Sequence, residues 1–445
     1  MLTGSTPTTV AGDAGFSGAR DTNVAMVNAS RLLRSAAPRR VWTGWETTAR
    51  RAILAAGTLG DGAAIEVVEA GRTHRLGTGE PVARVEVHDP RTYEALLRSG
   101  SVGLGASYVA GWWDADDLTA FLRGLFRRTR PLLDWMDRLG RAVGCVLDVP
   151  ARLAAPNRAD DKCNVRAHYD VSNEFFELML DDTMTYSCAL FERPDASLRD
   201  AQVAKIDRLC SKLDLRPDDH LVEIGSGWGS LAIHAAAHYG SRVTTTTVSE
   251  VQRTYAERRI AEAGLADRVT VLGDDWRDLR GRFDKLVSVE MIEAVDWRHH
   301  DEFLAACAGL LADGGVAALQ AIVIDDRSFE RAKRHQDFIR RMVFPGGCLP
   351  SVASITASLM RATDLRIVDL EDIGRHYAET LRRWAANLNS REPEIQHLGV
   401  GIEFRRLWAL YLAYCEAAFL ERHVSDVQVV LSKPSWRGRL GARAA

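Results

Sequence analysis

The chain has 445 residues, of which 46% are apolar and 26% charged, a composition typical of a globular protein and unlike that of a disordered or fibrous one. Its 57 lysine and arginine residues against 60 aspartate and glutamate residues give a formal net charge of -3, which argues against a general nucleic-acid binder with a basic surface. Seven widely spaced cysteines without a C-x-x-C pair exclude a disulfide framework and a standard zinc site, so no metal is expected. Because the sequence has no long apolar run and no signal-peptide core, we expect the protein to be located in the cytoplasm.

The first third of the chain predicts a small α+β domain. Residues 1–22 are rich in Gly, Thr, Ser and Ala without periodicity, which predicts an unstructured start. Alternating apolar and polar residues at 63–71 and 83–89 predict two strands of a small sheet. We assign residues 23–153 to this N-terminal domain and place a linker at the polar, proline-containing stretch 154–163.

Helical patterns follow these strands at residues 90–97 and 116–128, with a glycine-rich turn predicted between them at 100–108. The stretch 123–143 then combines leucine, phenylalanine and tryptophan with six arginines. They are Arg123, Arg127, Arg128, Arg130, Arg138 and Arg141. On helices, this composition can rest on an anionic membrane surface, or it can be a solvated face with intramolecular ion pairs. The stretch alone leaves both interpretations open.

Beyond the linker, short β-rich runs alternate with helical ones, which predicts a parallel sheet covered by helices on both faces. The predicted strands include HLVEI, RVTTTTVS, RVTVLGDD, FDKLVSVEM and VAALQAIVI. Active groups are expected at the carboxyl ends of such strands. We assign residues 164–430 to this second domain and 431–445 to a basic tail.

A glycine-rich motif follows the strand HLVEI, with Glu223 ahead of Gly225, Ser226 and Gly227. The glycines allow a tight turn and close approach of a ligand to the backbone, and the next helix presents free N–H groups. G-x-G-x-G alone is a weak signal, because a tight strand-to-helix turn needs glycine in any case. The acid before the first glycine and the lack of a G-K-[ST] sequence favour an S-adenosylmethionine site over a nucleoside triphosphatase or dinucleotide site.

Several further motifs occur in order along the chain: H-Y-D-V-S-N-x-F-F, M-T-Y-S-C-A, V-E-M-I-E-A, F-P-G-G-C-L-P-S and H-Y-A-x-T-L-x-x-W. With them the chain from about Asn164 to Phe419 resembles the cyclopropane-fatty-acid synthase family of S-adenosylmethionine-dependent lipid methyltransferases. Residues 85–113 also resemble the N-terminal domain of its phospholipid-modifying bacterial members. The resemblance implies an α/β, Rossmann-like class I methyltransferase fold with a central, mostly parallel sheet, preceded by the smaller α+β domain.

Family members add the methyl carbon of S-adenosylmethionine to a cis double bond of an acyl chain in a phospholipid. Because an alkene is a weak nucleophile, the two reactants must be held in line in a dry pocket, where aromatic faces can stabilise the resulting cation. Plain core packing is the commoner role of any one aromatic residue. The candidates for such faces are Tyr169, Phe175, Phe176, Tyr186, Trp276, Phe344 and Tyr377.

The resemblance also assigns residues to S-adenosylmethionine. Gly225, Ser226 and Gly227 would form its glycine loop, and Glu223 would orient that loop or the cofactor's amino group. The implied contacts with the methionine end, the ribose and the adenine are, in that order, Tyr169, Thr247 with Gln252, and Asp275 with Trp276.

After methyl transfer a proton must leave, and an exposed carboxylate base would itself be methylated. The family uses a bound bicarbonate ion, and the resemblance implies a cage for it from the backbones of Cys188 and Ile322, the Glu293 side chain and the Tyr377 hydroxyl. A buried glutamate needs a partner or takes up a proton, and bicarbonate would supply that partner.

Two positions depart from the family pattern. Gln320 stands where cyclopropane synthases commonly have histidine; it can donate a hydrogen bond but cannot exchange a proton, which leaves bicarbonate and the base open. Met342 replaces a usual tyrosine and predicts a flexible apolar wall. The sequences L-Q-A-I and S-V-E-M-I-E-A-V more closely resemble actinobacterial methyltransferases that form the 10-methylene precursor of tuberculostearic acid.

We therefore predict an enzyme that methylates an oleoyl-type phospholipid chain to a 10-methylene chain at the inner face of the cell membrane. A cyclopropane synthase using the same first step is the alternative, and a catalytically impaired S-adenosylmethionine- and lipid-binding subunit is the second. A methyltransferase for a small soluble metabolite fits the motifs less well. The predicted partners are the phospholipid, an anionic membrane surface, a reductase if the product is saturated, and a second copy of the chain, but no nucleic acid.

Overall fold

The computed structural model describes residues 44–58, 64–127 and 172–438. The predictions for the N-terminal start, the linker, Tyr169 and the arginine-rich stretch beyond Arg127 lie outside these residues, as does the end of the basic tail.

The N-terminal part forms a four-stranded sheet with helices beside it. Its elements are α1 (Gly44–Thr58), β1 (Ala64–Glu69), β2 (Arg72–Leu76), β3 (Pro81–Val87), α2 (Arg91–Val109), β4 (Trp113–Ala115) and α3, described over residues 118–127. The strand order is β2-β1-β3-β4, with β1 and β3 parallel and the other pairs antiparallel. Strands β1 and β3 confirm the two predicted strands, whereas β2 was not predicted.

The predicted glycine-rich turn at 100–108 is wrong, because these residues continue helix α2. The helix kinks at Gly100, which has φ 56° and ψ -129°, and then runs on to Val109. The other glycines serve close packing: a Cβ atom at Gly105 would lie 2.3 Å from a ring carbon of Phe338. Glycine here marks a contact between packed elements rather than a loop.

The second part contains a seven-stranded sheet with the order β10-β11-β9-β8-β5-β6-β7. Its elements are α4 (Asn173–Met179), α5 (Leu198–Lys212), β5 (His220–Ile224), α6 (Ser230–Tyr239), β6 (Arg242–Thr246), α7 (Glu250–Glu262), β7 (Val269–Leu272), β8 (Phe283–Val289), α8 (His300–Leu310), β9 (Leu311–Ile324), α9 (Asp326–Ala332), α10 (Val352–Ala362), β10 (Arg366–Asp372), α11 (Arg375–Ser390), α12 (Glu392–His397), α13 (Ile402–Leu420) and β11 (Val424–Ser432). Strand β11 is antiparallel to both neighbours, and the pairs from β9 to β7 are parallel. The predicted α/β fold with a mostly parallel sheet is confirmed.

Both faces of this sheet are covered because adjacent residues of a strand point in opposite directions. Leu221 and Val287 pack with apolar residues of α5, α6 and α7, whereas Val222 and Leu286 pack with those of α8 and α10. All four side chains are buried. The apolar runs of β5 and β8 are thus typical of central strands in a doubly covered sheet.

Helix α13 joins the two parts of the chain. Its Arg406 donates to the carbonyl oxygens of Tyr108 and Trp113 at 2.6 and 2.9 Å. Just beyond α13, the Glu421 carboxylate accepts hydrogen bonds from Arg123 and Arg127, each at 2.8 Å. These two members of the arginine-rich stretch form intramolecular ion pairs. In the described ranges, no helix is both long and apolar enough to cross a bilayer.

Candidate active site

A cavity of about 520 Å³ opens at the carboxyl ends of β5, β6 and β8 and reaches helices α11 and α13. Its volume is within the usual range of small-molecule sites, about 300 to 1,000 Å³. One end, the polar end, is lined by the loop after β5 and by polar residues after β6 and β7. The other, the aromatic end, is lined by α11, α13 and Phe126 of α3.

The loop after β5 requires glycine for steric reasons. Gly225, Gly227 and Gly229 have φ values of 96°, 49° and 88°, in the left-handed region that side chains disfavour. A Cβ atom at Gly225 would also lie 2.5 Å from Cγ of Met291. Backbone amides of Gly225 and Ser226 donate to the Thr246 carbonyl, which fixes the loop against β6. The loop therefore presents bare backbone to the cavity just before the N-terminus of α6.

Glu223 is a buried acid at the polar end, with only 3% of its surface exposed. The hydroxyl of Thr245 donates to Glu223 Oε2 at 2.6 Å. Burial raises the pKa of Glu223 to about 7, against the opposing effects of Thr245 and of Lys205. Lys205 is itself buried and donates to the Ser187 hydroxyl at 2.6 Å. An acid that ionises near neutral pH in this position can bind a ligand cation.

The other predicted cofactor residues line the same end of the cavity. The Thr247 hydroxyl donates to Gln252 Oε1 at 3.0 Å, so these two side chains act as a pair. Asp275 accepts from the Arg277 backbone amide at 3.0 Å, and the Arg277 guanidinium lies 4.4 Å from the ring centroid of Trp276. The structure thus brings together every predicted cofactor residue that it describes.

Glu290 lies where the polar and aromatic ends meet, directly after β8. Its Oε1 accepts hydrogen bonds from the Cys188 backbone amide at 2.8 Å and from Gln320 Nε2 at 2.9 Å. Its Oε2 accepts from the Tyr377 hydroxyl at 2.6 Å. The backbone of Glu290 has φ 51°, an unfavourable conformation for glutamate. Sequence reasoning missed this residue, although the first acid in V-E-M-I-E, three residues before the predicted Glu293, was the available signal.

Two further acids surround Glu290. Glu293 accepts from the Ile322 backbone amide, and its buried Oε2 has no partner among the described residues. Asp426 of β11 accepts from Gln320 Nε2 at 2.8 Å. Burial, and then the negative charge of Glu290, raise the pKa of both Glu293 and Asp426 well above the usual range.

These contacts test the predicted bicarbonate cage. The structure does bring together its four residues, Cys188, Glu293, Ile322 and Tyr377. However, the amide of Cys188 and the hydroxyl of Tyr377 already donate to Glu290, and the amide of Ile322 donates to Glu293. The residues as arranged therefore do not fit a free bicarbonate ion.

The aromatic end is built from tyrosine and phenylalanine rings. Tyr377 stacks on Phe419 with ring centroids 4.4 Å apart. The hydroxyls of Tyr186 and Tyr411 are 2.8 Å apart, and Phe344 meets Tyr411 edge-on at 5.7 Å. Of the predicted aromatic faces, those of Tyr186, Phe344 and Tyr377 line this end.

Three predictions about the cavity wall need correction. Phe175 and Phe176 are buried in the core, where both pack on Trp408 of α13, and they do not line the cavity. Trp276 lines the polar end rather than the aromatic one. Met342 is fully buried among core residues, so the predicted flexible wall is wrong. The sequence alone could not distinguish aromatic residues of the core from those of the cavity, because both kinds of ring pack against other apolar side chains.

Comparison with known proteins agrees with this site. The family model for mycolic acid cyclopropane synthetase matches residues 157–429. The chain is 38% identical to the tuberculostearic acid methyltransferase UfaA1 of Mycobacterium tuberculosis, over 80% of this chain and 84% of that protein. It is 33% identical to the cyclopropane-fatty-acyl-phospholipid synthase of Escherichia coli K12, over 82% and 92%.

Among solved structures, the mycolic acid cyclopropane synthase CmaA1 in complex with SAH and CTAB aligns with a TM-score of 0.57 and 31% identity. The alignment covers 61% of this chain and 98% of that one. Fold, cavity and sequence agree with one another: the chain belongs to the mycolic acid cyclopropane synthetase family, and its catalytic domain has the class I S-adenosylmethionine methyltransferase fold.

Proposed function

We propose that this protein transfers the methyl carbon of S-adenosylmethionine to the cis double bond of an oleoyl-type chain in a membrane phospholipid, giving a 10-methylene chain. The observation that carries the proposal is that one cavity joins a glycine-loop polar end to an aromatic end, with Glu290 between them. The activities named for UfaA1 and for the Escherichia coli synthase support a lipid substrate.

The polar end is proposed to hold S-adenosylmethionine. The bare backbone of Gly225 to Gly227 allows the methionine part to approach closely, and ionised Glu223 binds its ammonium group. The polar pair Thr247 and Gln252 is placed to bind the ribose hydroxyls, and Asp275 with Trp276 to bind the adenine. The contact predicted for Tyr169 stays a prediction.

The aromatic end is proposed to hold the acyl chain and to tolerate its cation. As the C–S bond breaks, the π electrons of the alkene form the new C–C bond and leave a cation on the chain. The rings of Tyr377, Phe419 and Tyr411 offer their faces to this charge. Burial raises the pKa of both tyrosines well above 10, so their hydroxyls stay neutral and are poor competitors for the methyl group.

The 10-methylene and cyclopropane products diverge only after this cation. Loss of a proton from the new methyl group with ring closure gives the cyclopropane. A hydride shift along the chain followed by loss of that proton gives the methylene. The position of the base relative to the chain selects between them. The similarity to UfaA1 and the glutamine at 320 favour the methylene product, and cyclopropane formation is the alternative.

The test is to incubate the purified protein with methyl-labelled S-adenosylmethionine and oleoyl phospholipid and to examine the product by NMR. Mass alone does not serve, because the two products are isomers. Vinylidene proton signals are expected. Shielded ring-methylene signals would instead identify a cyclopropane synthase. Binding of S-adenosylmethionine without turnover on any unsaturated phospholipid would favour the impaired subunit.

Peripheral association with an anionic membrane follows from the proposed substrate, since the acyl chain must leave the bilayer to reach the cavity. Co-sedimentation with anionic liposomes tests it. A reductase partner is proposed only if the cell contains the saturated 10-methyl chain, because saturation of the methylene requires a hydride donor that methyl transfer does not supply. The homodimer stays a prediction.

Cys188 is proposed to act through its backbone amide rather than its thiol. The side chain is fully buried, its Sγ donates to the Ala189 carbonyl at 3.3 Å, and burial raises the pKa of the thiol well above its usual value. We expect Cys188→Ser to cost about 1 kcal/mol of stability and to keep turnover within about ten-fold of wild type. Loss of all turnover in a folded variant that still binds S-adenosylmethionine would reject the backbone role.

A further inference from the structure

We propose that the Glu290 carboxylate is the resident base of this enzyme and takes the place that a free bicarbonate ion would occupy. The inference rests on the proposed function and deepens it, because it names the group that accepts the proton.

The first support is the set of donors that Glu290 engages. The predicted bicarbonate cage includes the Cys188 amide and the Tyr377 hydroxyl, and these two groups hold the two oxygens of Glu290 at 2.8 and 2.6 Å. Gln320, at the position where the family commonly has histidine, supplies a third hydrogen bond at 2.9 Å. A carboxylate of this chain therefore occupies an anion site made by residues 188, 320 and 377.

The second support is the backbone at Glu290. A glutamate with φ 51° has a left-handed backbone conformation, which is unfavourable for residues other than glycine. Such strain persists where surrounding contacts fix the residue, and it is concentrated at functional sites. This backbone conformation, together with the hydrogen bond from the Glu290 amide to the Gln320 carbonyl at 2.8 Å, holds the side chain toward the cavity.

The third support is the difference in surroundings among the three acids. Burial and the charge of Glu290 raise the pKa of both Asp426 and Glu293 well above the usual range of a carboxyl. Gln320 donates to both Glu290 and Asp426, and Gln428 donates to Gln320 Oε1 at 3.1 Å, which fixes the direction of the bridging amide. Of the three acids, Glu290 is the one whose two oxygens accept from the Cys188 amide, Gln320 and the Tyr377 hydroxyl, which places it to act as the base.

These hydrogen bonds also answer the objection that a carboxylate base would be methylated. Three donors engage the two oxygens of Glu290, which lowers its nucleophilicity toward a sulfonium while leaving it able to accept a proton from a far more acidic cation. In the step, a C–H bond of the new methyl group breaks and its electrons form either the methylene double bond or the ring. The proton passes to Glu290, whose carboxyl must return it to water before the next turnover.

Glu290→Gln preserves the shape of the side chain, and its amide can donate to the Tyr377 oxygen. We expect it to bind S-adenosylmethionine normally and to lower turnover by about 100-fold or more. Glu262→Gln is the matched control, because Glu262 is exposed at the end of α7, away from the cavity. It should match wild type. Wild-type turnover should not change when dissolved carbon dioxide and bicarbonate are removed.

Glu290→Gly tests the same site by removing the carboxylate, so that an added anion can replace it. Glycine accepts φ 51° without strain and leaves the Cys188, Gln320 and Tyr377 donors without their acceptor. We expect low turnover that millimolar formate or bicarbonate restores by at least about ten-fold. Wild type that loses turnover without bicarbonate, together with Glu290→Gln that retains it, would overturn the inference but not the proposed function. Wild type that forms no methylated lipid under any condition would overturn both.

Discussion

Tyr377→Phe is expected to lower turnover by about 10- to 100-fold while leaving the affinity for S-adenosylmethionine unchanged, because a hydrogen bond to a charged group contributes about 1.5 to 3 kcal/mol. The hydroxyl donates to Glu290 Oε2 at 2.6 Å. Without it the carboxylate can rotate away from the substrate, and its free oxygen becomes a better acceptor for the methyl group.

The ring itself should stay in place in this variant. Tyr377 stacks on Phe419 at 4.4 Å and meets Trp384 edge-on at 6.1 Å, contacts that phenylalanine retains. Tyr239→Phe is a matched control, because the Tyr239 hydroxyl also donates to a carboxylate, that of Asp207, but outside the cavity. Single-turnover rates with oleoyl phospholipid, compared with calorimetric S-adenosylmethionine affinities, separate chemistry from binding. Equal losses in both quantities would show that Tyr377 supports the fold of the site rather than the base.

The sheet and the glycine loop were predictable because their signals are local. A buried parallel strand is a short apolar run, and a tight turn next to a ligand needs glycine, as at Gly225 with φ 96°. The family resemblance assigned the cofactor residues at 247, 252, 275 and 276, and each lies beyond the carboxyl end of a strand, where ligands of such sheets bind.

Glu290 was not predictable from these rules. It and Glu293 both follow β8, and which of them meets the donors at 188 and 377 depends on a single left-handed backbone position. The contribution of Asp426 is equally hidden: it lies 106 residues from Gln320 in the sequence and reaches it only through the pairing of β9 with β11. No motif marks a residue whose role arises from sheet register.

The glycines of α2 are a case in which a clear local signal led to a wrong prediction. Clustered glycine usually marks a turn, but Gly105 is small so that Phe338, more than 200 residues away in sequence, can pack against the helix. The sequence correctly indicates that glycine is required in this segment. It does not show why, because the reason is a tertiary contact.

Glu223 gives the second large prediction, a pH dependence of cofactor affinity. Its pKa is raised from 4.5 to about 7 by burial, so the folded protein binds this proton more tightly than the unfolded chain does. The free energy of unfolding of the ligand-free protein should therefore fall as the pH rises from 4.5 to about 7. The ammonium group of S-adenosylmethionine, in contrast, prefers the ionised carboxylate.

Affinity for S-adenosylmethionine should consequently rise by about ten-fold between about pH 5.5 and pH 7, as the ionised fraction of Glu223 grows, while an α-amino group stays protonated up to about pH 7.7. Glu223→Gln keeps the size of the side chain and can still accept from Thr245, but it cannot ionise. In this variant the affinity should be about ten-fold weaker at pH 7 and independent of pH over the same range. Calorimetric titration of both proteins, with Glu262→Gln as the control, tests this prediction. A pH dependence of the affinity that persists in Glu223→Gln would assign the titrating group elsewhere, and buried Lys205 would then be tested next.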